Sequence, residues 1–356
     1  MDLIEEARSK QLLPFWTVRS QMETVEPRSP AVPHLWKWKD VEPLIRKSAE
    51  VVSIEEAERR AFLLMNPGLG ENPNFIRRLL GAFQLVKAGE SAACHRHTPA
   101  ASRFIIEGSG GFTTLDGEKC RMARGDLIIT PNFVWHDHGN EADSGYVIWF
   151  DVLDVGLVDF FDSRFDDFSF KDPISGSPTV QTVTKPENGS TNLYAAGGIV
   201  PRLSRTPPRR HSPQLIYKWE HVRAALERLK AHEGDPYDGL IVEYTDPTTG
   251  GPALPTMAFH LQLFRPRQRT LAHRHTAATA YFVVEGRGST HFDDVTLEWG
   301  PNDAFVVPSW RWHEHATEDD GDAILYSVTD APVLRRLGLY REEGRTARGE
   351  VELIEV

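Results

Sequence analysis

Between residues 89 and 140 the chain reads as short apolar runs separated by turn residues. Phe104-Ile105-Ile106, Gly110-Gly111-Phe112-Thr113-Thr114-Leu115 and Leu127-Ile128-Ile129 are three such runs. Runs of this length, rich in β-branched and aromatic residues, predict strands. Asp116-Gly117 follows one of them and is suited to a tight hairpin, where positive φ is needed. Elsewhere the period changes. Residues 41–48 and 54–60 fit short amphipathic helices, with Ser53 as N-cap and Glu56 as its capping-box partner. Residues 221–229 repeat every 3.6 positions and predict a helix over about 219–232, and residues 333–339 suggest a closing helix.

The strand reading gives the histidines a direction. His95 and His97 lie two apart, so on a strand both imidazoles point to one face. Gly125 and Pro131 lead to a third, His136, and a meander that folds back can bring it beside the pair. An isolated pair of histidines two apart is ordinary; the repetition is not. His273-Arg274-His275, Pro308 and His313 reproduce the arrangement 178 residues later at the pair and 177 later at the closing histidine. Glu107-Gly108 recurs as Glu285-Gly286, and Trp135-His136-Asp137-His138 as Trp312-His313-Glu314-His315. Eight of the 14 histidines fall in these two clusters, which a scattered structural role would not produce. The chain is an internal duplication, and two copies predict two β-barrels.

The organisation that follows is a helical arm over 1–60, a first barrel over 61–155, a linker with a helix over 156–238, a second barrel over 239–330, and a helix and tail over 331–356. Trp16, Trp36 and Trp38 read as packing anchors of the arm, which covers a barrel face or docks on a partner subunit. Residues 207–213 are rich in proline and mark a loop, with Arg209-Arg210 as solvated surface.

Composition then narrows the chemistry. The 356 residues suffice for two cores. A net charge of −11 argues against nucleic acid or an anionic membrane surface as partner, yet leaves room for a small anionic substrate at a locally positive site. Two cysteines, Cys94 and Cys120, fit a reducing cytosol. No run approaches the roughly 20 apolar residues of a membrane helix, and the acidic start is unlike a secretory signal. A cytoplasmic location is expected. Three neutral imidazoles suit Fe(II), Zn, Cu or Ni by ligand type, and a hydrolytic zinc site stays open at this point.

Gly89 followed by His95-Arg96-His97, then Gly125, Pro131, His136 and Asn140, resembles the two-part cupin signature, so two copies make a bicupin of two double-stranded β-helix (jelly-roll) barrels. Further blocks are similar to the gentisate 1,2-dioxygenase family, which includes salicylate and 1-hydroxy-2-naphthoate dioxygenases. They include Pro33-His34-Leu35-Trp36, Asn66-Pro67-Gly68-Leu69-Gly70, Arg103-Phe104-Ile105-Ile106-Glu107-Gly108, Asp246-Pro247-Thr248-Thr249-Gly250-Gly251 and Val307-Pro308-Ser309-Trp310. The resemblance implies a mainly β fold and an Fe(II)-dependent, extradiol-type ring cleavage. O2 and a small aromatic hydroxy acid are consumed, and both oxygen atoms enter gentisate to give maleylpyruvate. It also implies a homotetramer. Salicylate and 1-hydroxy-2-naphthoate are alternative substrates; a non-catalytic storage bicupin and a zinc sugar-phosphate isomerase are readings from other classes.

The same resemblance assigns His95, His97 and His136 as metal ligands and Arg103, His138, Asp151 and Gln84 as active-site residues. Arg103 would take a carboxylate or oxyanion through its planar fork, His138 would donate to oxygen or orient the ligands, and Asp151 would sit near the site, with pairing to His138 as its alternative role. One of Arg59 and Arg60 is expected to reach the pocket, and Cys94 to point away from the metal. Leu80 stands where salicylate-cleaving relatives carry tryptophan, a departure that weakens the salicylate reading. Neither barrel has the extra carboxylate that many cupins carry after the histidine pair: Ala101 and Ser102 fill those places in one, Thr279 and Ala280 in the other. In the second barrel His273, His275 and His313 form a possible second site. There Tyr281 replaces the arginine, Arg267 the opening glycine and Thr317 the closing asparagine.

Overall fold

The computed structural model describes residues 2–57, 59–201, 210–318 and 321–355. Each half of the chain builds two antiparallel sheets. In the first half a six-stranded sheet runs in the order Ile216–Tyr217, Leu127–Thr130, Ala101–Glu107, Tyr146–Leu153, Leu80–Lys87 and Arg60–Leu63. Facing it is a five-stranded sheet of Asp166–Asp167, Ser91–His97, His136–Asn140, Gly111–Leu115 and Glu118–Arg121. The second half repeats the plan with Ala304–Val307, Thr279–Glu285, Ala323–Thr329 and Ala258–Phe264 in one sheet, and Gly288–Phe292, His313–Ala316 and His273–His275 in the other. The fold is the mainly β double barrel that the histidine repeat predicted.

Strand alternation decides what each six-stranded sheet shows to which side. Along Ala101–Glu107, Phe104 and Ile106 enter a cluster shared by the two barrels, while Ile105 enters the core of the first barrel alone. Arg103 shares the parity of Ile105 and so faces into the barrel. The shared cluster is aromatic: Phe104 stacks on Tyr326 with ring centroids 4.4 Å apart, and Phe150 stacks on Phe282 at 5.6 Å. The barrels are thus joined by one continuous apolar layer. Phe282→Ala is expected to destabilise the whole chain by about 3–5 kcal/mol, read as a lower denaturant midpoint for a single transition.

Several boundaries differ from the sequence reading, each for a tertiary reason. The arm is not purely helical: after the helix Leu3–Ser9, the strand His34–Trp36 pairs with Ala304–Val307 at the edge of the second barrel's sheet. The helix Trp38–Val51 follows and extends the expected 41–48 at both ends. Trp38 is buried with its ring against Phe83, and Trp36 is half-buried against the same core. Trp16 does not anchor the arm on either barrel; within the described chain it is 68% exposed, beside exposed Phe15. Ser53 does cap, its Oγ accepting from the Glu56 amide at 3.1 Å.

The stretch 156–238 is less a linker than a strap. Its strand Asp166–Asp167 pairs with Arg96 and His97, and Ile216–Tyr217 pairs with Leu127 and Ile128. Strands of two residues carry no period, so sequence patterning misses them. Residues 202–209 lie outside the described residues, and with them Pro207, Pro208 and Arg209 of the proline-rich run. The predicted helix appears as Trp219–Leu229. The segment 331–356, read as a helix and tail, holds the helix Ala331–Arg336 and then two strands, Glu342–Arg345 and Val351–Glu355, that extend the second barrel beside His273–His275. Among the described residues no helix is long and apolar enough to cross a membrane.

Candidate metal centre and active site

Register brings the first triad together. His95 lies directly across from His136 on the neighbouring strand, and His97 shares the face of His95 by alternation. The ring centroids of His95 and His136 are 4.3 Å apart, those of His97 and His136 4.9 Å. All three side chains are buried, and one nitrogen from each lies within 4.8 Å of the others.

Which nitrogen faces inward follows from the other one. Nδ1 of His95 contacts the Ala93 carbonyl at 2.9 Å, Nδ1 of His97 the Pro99 carbonyl at 2.7 Å, and Nδ1 of His136 the Val134 carbonyl at 2.9 Å. A carbonyl oxygen only accepts, so each Nδ1 carries the proton and each Nε2 presents a lone pair. Nε2 of His136 is buried without a hydrogen-bond partner, an arrangement that is costly unless something fills it. Burial, and then the Arg59 charge, hold the His95 pKa down to about 3; burial holds His97 down to about 4 and His136 well below its ordinary value. The rings are therefore neutral at neutral pH, the form that binds a cation. Three converging lone pairs on neutral imidazoles fit a divalent transition-metal ion.

Charge around this triad is positive. Arg103 is buried on Ala101–Glu107 and donates from Nη1 to the Thr130 hydroxyl. Its Nε lies 3.7 Å from Oδ1 of Asp151, close enough for an ion pair but without a hydrogen bond. Gln84 donates to Oδ2 of Asp151. Burial lowers the Arg103 pKa and raises that of Asp151, each opposed by the other's charge. Asp151 thus pairs with Arg103 and Gln84, not with His138. His138 instead bonds through Nδ1 to Thr113 Oγ1 at 2.8 Å and leaves Nε2 buried and unpartnered, its ring 5.4 Å from that of His136.

Of the two adjacent arginines, Arg59 reaches the site, with Nη1 2.9 Å from Nε2 of His95. Arg60 points the other way and pairs with Glu90 at 2.6 Å. A cavity of about 430 Å³ opens beside His95, lined by Ile54, Arg59, Ala93, Phe168 and Thr179. Phe168, which sequence reasoning passed over, lies nearly parallel to the His95 ring at 5.9 Å; it comes from the strap, where no pattern announced it. Cys94 is also buried, and burial pushes its thiol up to about 12, so it stays protonated.

The second triad has the same skeleton with different surroundings. His273 lies across from His313, and Nδ1 of His275 and His313 meet the carbonyls of Ala277 and Arg311. Nδ1 of His273 meets a carboxylate instead, Glu342 Oε1 at 3.1 Å. Nε2 of His273 and Nε2 of His313 stand 2.9 Å apart; two lone pairs at that distance repel unless a proton or a cation lies between them. Tyr281, in the place of Arg103, stacks on Phe305. Here the field is negative: burial lowers the His273 pKa, but Glu342 and Asp238 outweigh it and the net shift is upward.

Comparison with known proteins agrees with this geometry. The cupin domain matches twice, over residues 82–153 and 260–329. The chain is 38% identical to 5-aminosalicylate 1,2-dioxygenase of Comamonas sp over 99% of its own length and 92% of the relative's. It is 37% identical to gentisate 1,2 dioxygenase 1 of Aquipseudomonas alcaligenes, over 94% and 93%. The crystal structure of salicylate 1,2-dioxygenase from Pseudoaminobacter salicylatoxidans, with gentisate, superposes with a TM-score of 0.87 at 32% identity, covering 96% of this chain and 93% of that one. Duplicated histidine triads, two joined barrels and full-length relatives converge: the chain belongs to the gentisate 1,2-dioxygenase family of bicupin ring-cleaving dioxygenases.

Proposed function

We propose that the chain is an Fe(II)-dependent, extradiol-type dioxygenase that inserts both atoms of O2 into gentisate at the first barrel, giving maleylpyruvate. The observation that carries this is the convergence of three imidazole lone pairs beside two arginines. His95, His97 and His136 would hold the ion, which supplies O2 activation and a docking point for the substrate's carboxylate and ortho hydroxyl. The side chains do the rest. Arg103 and Arg59 attract the substrate anion, and a guanidinium fork fits a carboxylate. Asp151 holds Arg103 in place and Gln84 holds Asp151, so both act as positioning residues. His138, fixed by Thr113, has Nε2 available to exchange a proton with the substrate. Phe168, from the strap, lies beside the His95 ring.

The substrate class follows from these charges and from the relatives. Gentisate and 5-aminosalicylate share a carboxylate, an ortho hydroxyl and an electron-donating group para to that hydroxyl. 5-Aminosalicylate is the second reading, favoured by the 38% identity over 99% of the chain. Salicylate and 1-hydroxy-2-naphthoate stand behind them, salicylate set back by Leu80. The family resemblance extends the proposal to a cytoplasmic homotetramer.

Oxygen uptake by protein reconstituted anaerobically with Fe(II) tests the reading, with the four acids supplied in parallel. One O2 consumed per gentisate ring opened is the expected result. Uptake with another acid alone moves the substrate and keeps the chemistry. No uptake with any acid by iron-loaded protein overturns the enzymatic reading in favour of a storage bicupin.

A further inference from the structure

The two triads share a skeleton and face opposite charge. At the first, all three Nδ1–H groups go to neutral carbonyls and two arginines look inward. At the second, Glu342 accepts from Nδ1 of His273, and Tyr340 donates to its other oxygen at 2.7 Å. Asp238 lines the same cavity and accepts from Gln262 at 2.8 Å. Arg335 is a cation lining that cavity, but it is spoken for by Glu355 at 2.7 Å. The cavity measures about 130 Å³, smaller than the ~150 Å³ that admits a bare benzene ring. His260 and Tyr281 occupy wall positions that Ala82 and Arg103 hold in the first barrel. An aromatic acid anion finds neither space nor counter-charge here. A bare cation finds both.

Glu342 has a counterpart in the first barrel, Asp166, which lies across from His97 as Glu342 lies across from His275, but Asp166 pairs with Arg164 at 3.3 Å. Glu342 sits on Glu342–Arg345, which pairs with His273–His275 and is itself paired with Val351–Glu355. Arg274, between the two histidines, pairs with Glu343 at 2.7 Å, and Tyr237 stacks flat on the His273 ring at 5.4 Å while its hydroxyl meets Glu352 at 3.1 Å. His273 is therefore clamped by groups that belong to, or bond with, the C-terminal strand pair. A carboxylate on the far nitrogen of a ligating imidazole fixes the ring and raises its basicity, and its loss typically weakens a metal site 10- to 100-fold.

We propose that the second triad is a structural cation site, which holds a divalent first-row metal ion through His273, His275 and His313 with Glu342 as its positioning carboxylate, and which ties the C-terminal strand pair to the barrel. The ion is retained without substrate and takes no part in ring cleavage. Its retention differs from that at the first triad, where arginines oppose a cation.

Metal content measured by mass spectrometry, independent of turnover, tests this. Protein loaded anaerobically with Fe(II), or separately with Zn(II), is freed of excess metal and then dialysed against EDTA. Wild type is expected to hold two ions per chain before the chelator and one after it. His136→Ala keeps one ion through dialysis, and His313→Ala keeps none. Glu342→Gln releases the retained ion at 10- to 100-fold lower chelator concentration. Amide exchange at residues 342–355 of His136→Ala protein is expected to quicken when the ion is stripped at low pH and to slow again on reloading. His136→Ala protein that holds no ion overturns the site. Equal retention by Glu342→Gln overturns the role of the carboxylate, and unchanged exchange overturns the clamp. None of these outcomes depends on whether the first barrel cleaves gentisate.

Discussion

His136→Ala abolishes ring cleavage. The expected loss is more than about a thousand-fold, equivalent to about 4 kcal/mol of barrier. Nε2 of His136 is buried with no partner, so it has no structural work at that nitrogen, and removing the ring takes one donor of the triad. With two donors left the first barrel no longer retains its ion, and metal analysis of the variant should show one ion fewer per chain than wild type. The fold should survive, because the lost ring is replaced by a methyl at a strand position flanked by intact ladders. Circular dichroism and the denaturant midpoint check that. Oxygen uptake that persists in His136→Ala and vanishes in His313→Ala would place the reaction in the second barrel.

The second large effect is at Arg103. Arg103→Gln is expected to lower kcat/KM for gentisate by a hundred- to a thousand-fold, mostly through KM, because the guanidinium contributes to binding in ground state and transition state alike. The variant also leaves Asp151 buried beside Gln84 with no cation at its other oxygen. Breaking a buried pair on one side destabilises by about 3–5 kcal/mol, so a drop in stability is expected alongside. Arg103→Lys separates the two. It keeps the charge for Asp151 but loses the fork, so stability should largely return while KM stays high. If Arg103→Lys restores the catalytic constants as fully as the stability, the arginine serves only to neutralise Asp151.

What could be read in the sequence was what repeats or alternates. His95, His97 and their copies declared a shared face by strand parity, and the 178-residue offset declared two barrels. Arg103 could be placed inward by the same parity. Which of Arg59 and Arg60 reaches the triad was not decided in advance, since it turns on where the strand Arg60–Leu63 begins. Glu342 and Asp238 belong to no motif. They reach the second triad through a strand pairing and a loop crossing that only the folded chain specifies, and Phe168 does so at the first. Asp151 was tied to the right neighbourhood and the wrong partner, because its neighbour is set by cross-strand register with Arg103. Trp16, read as a packing anchor of the arm, is exposed within the described chain, because patterning marks a side chain as apolar without saying what covers it.

The aromatic layer between the barrels has a consequence for how such a gene can change. Phe104, Phe150, Phe282 and Tyr326 are one another's solvent-excluding partners, so neither half has a finished surface of its own. A duplicated chain is ordinarily free to discard the copy that does no chemistry. Here a premature stop or a deletion in the second half would strip the first barrel's aromatic face to water, and selection on ring cleavage therefore protects the whole of the other copy. Its wall is freer to drift, and there Tyr281 stands in the place of Arg103.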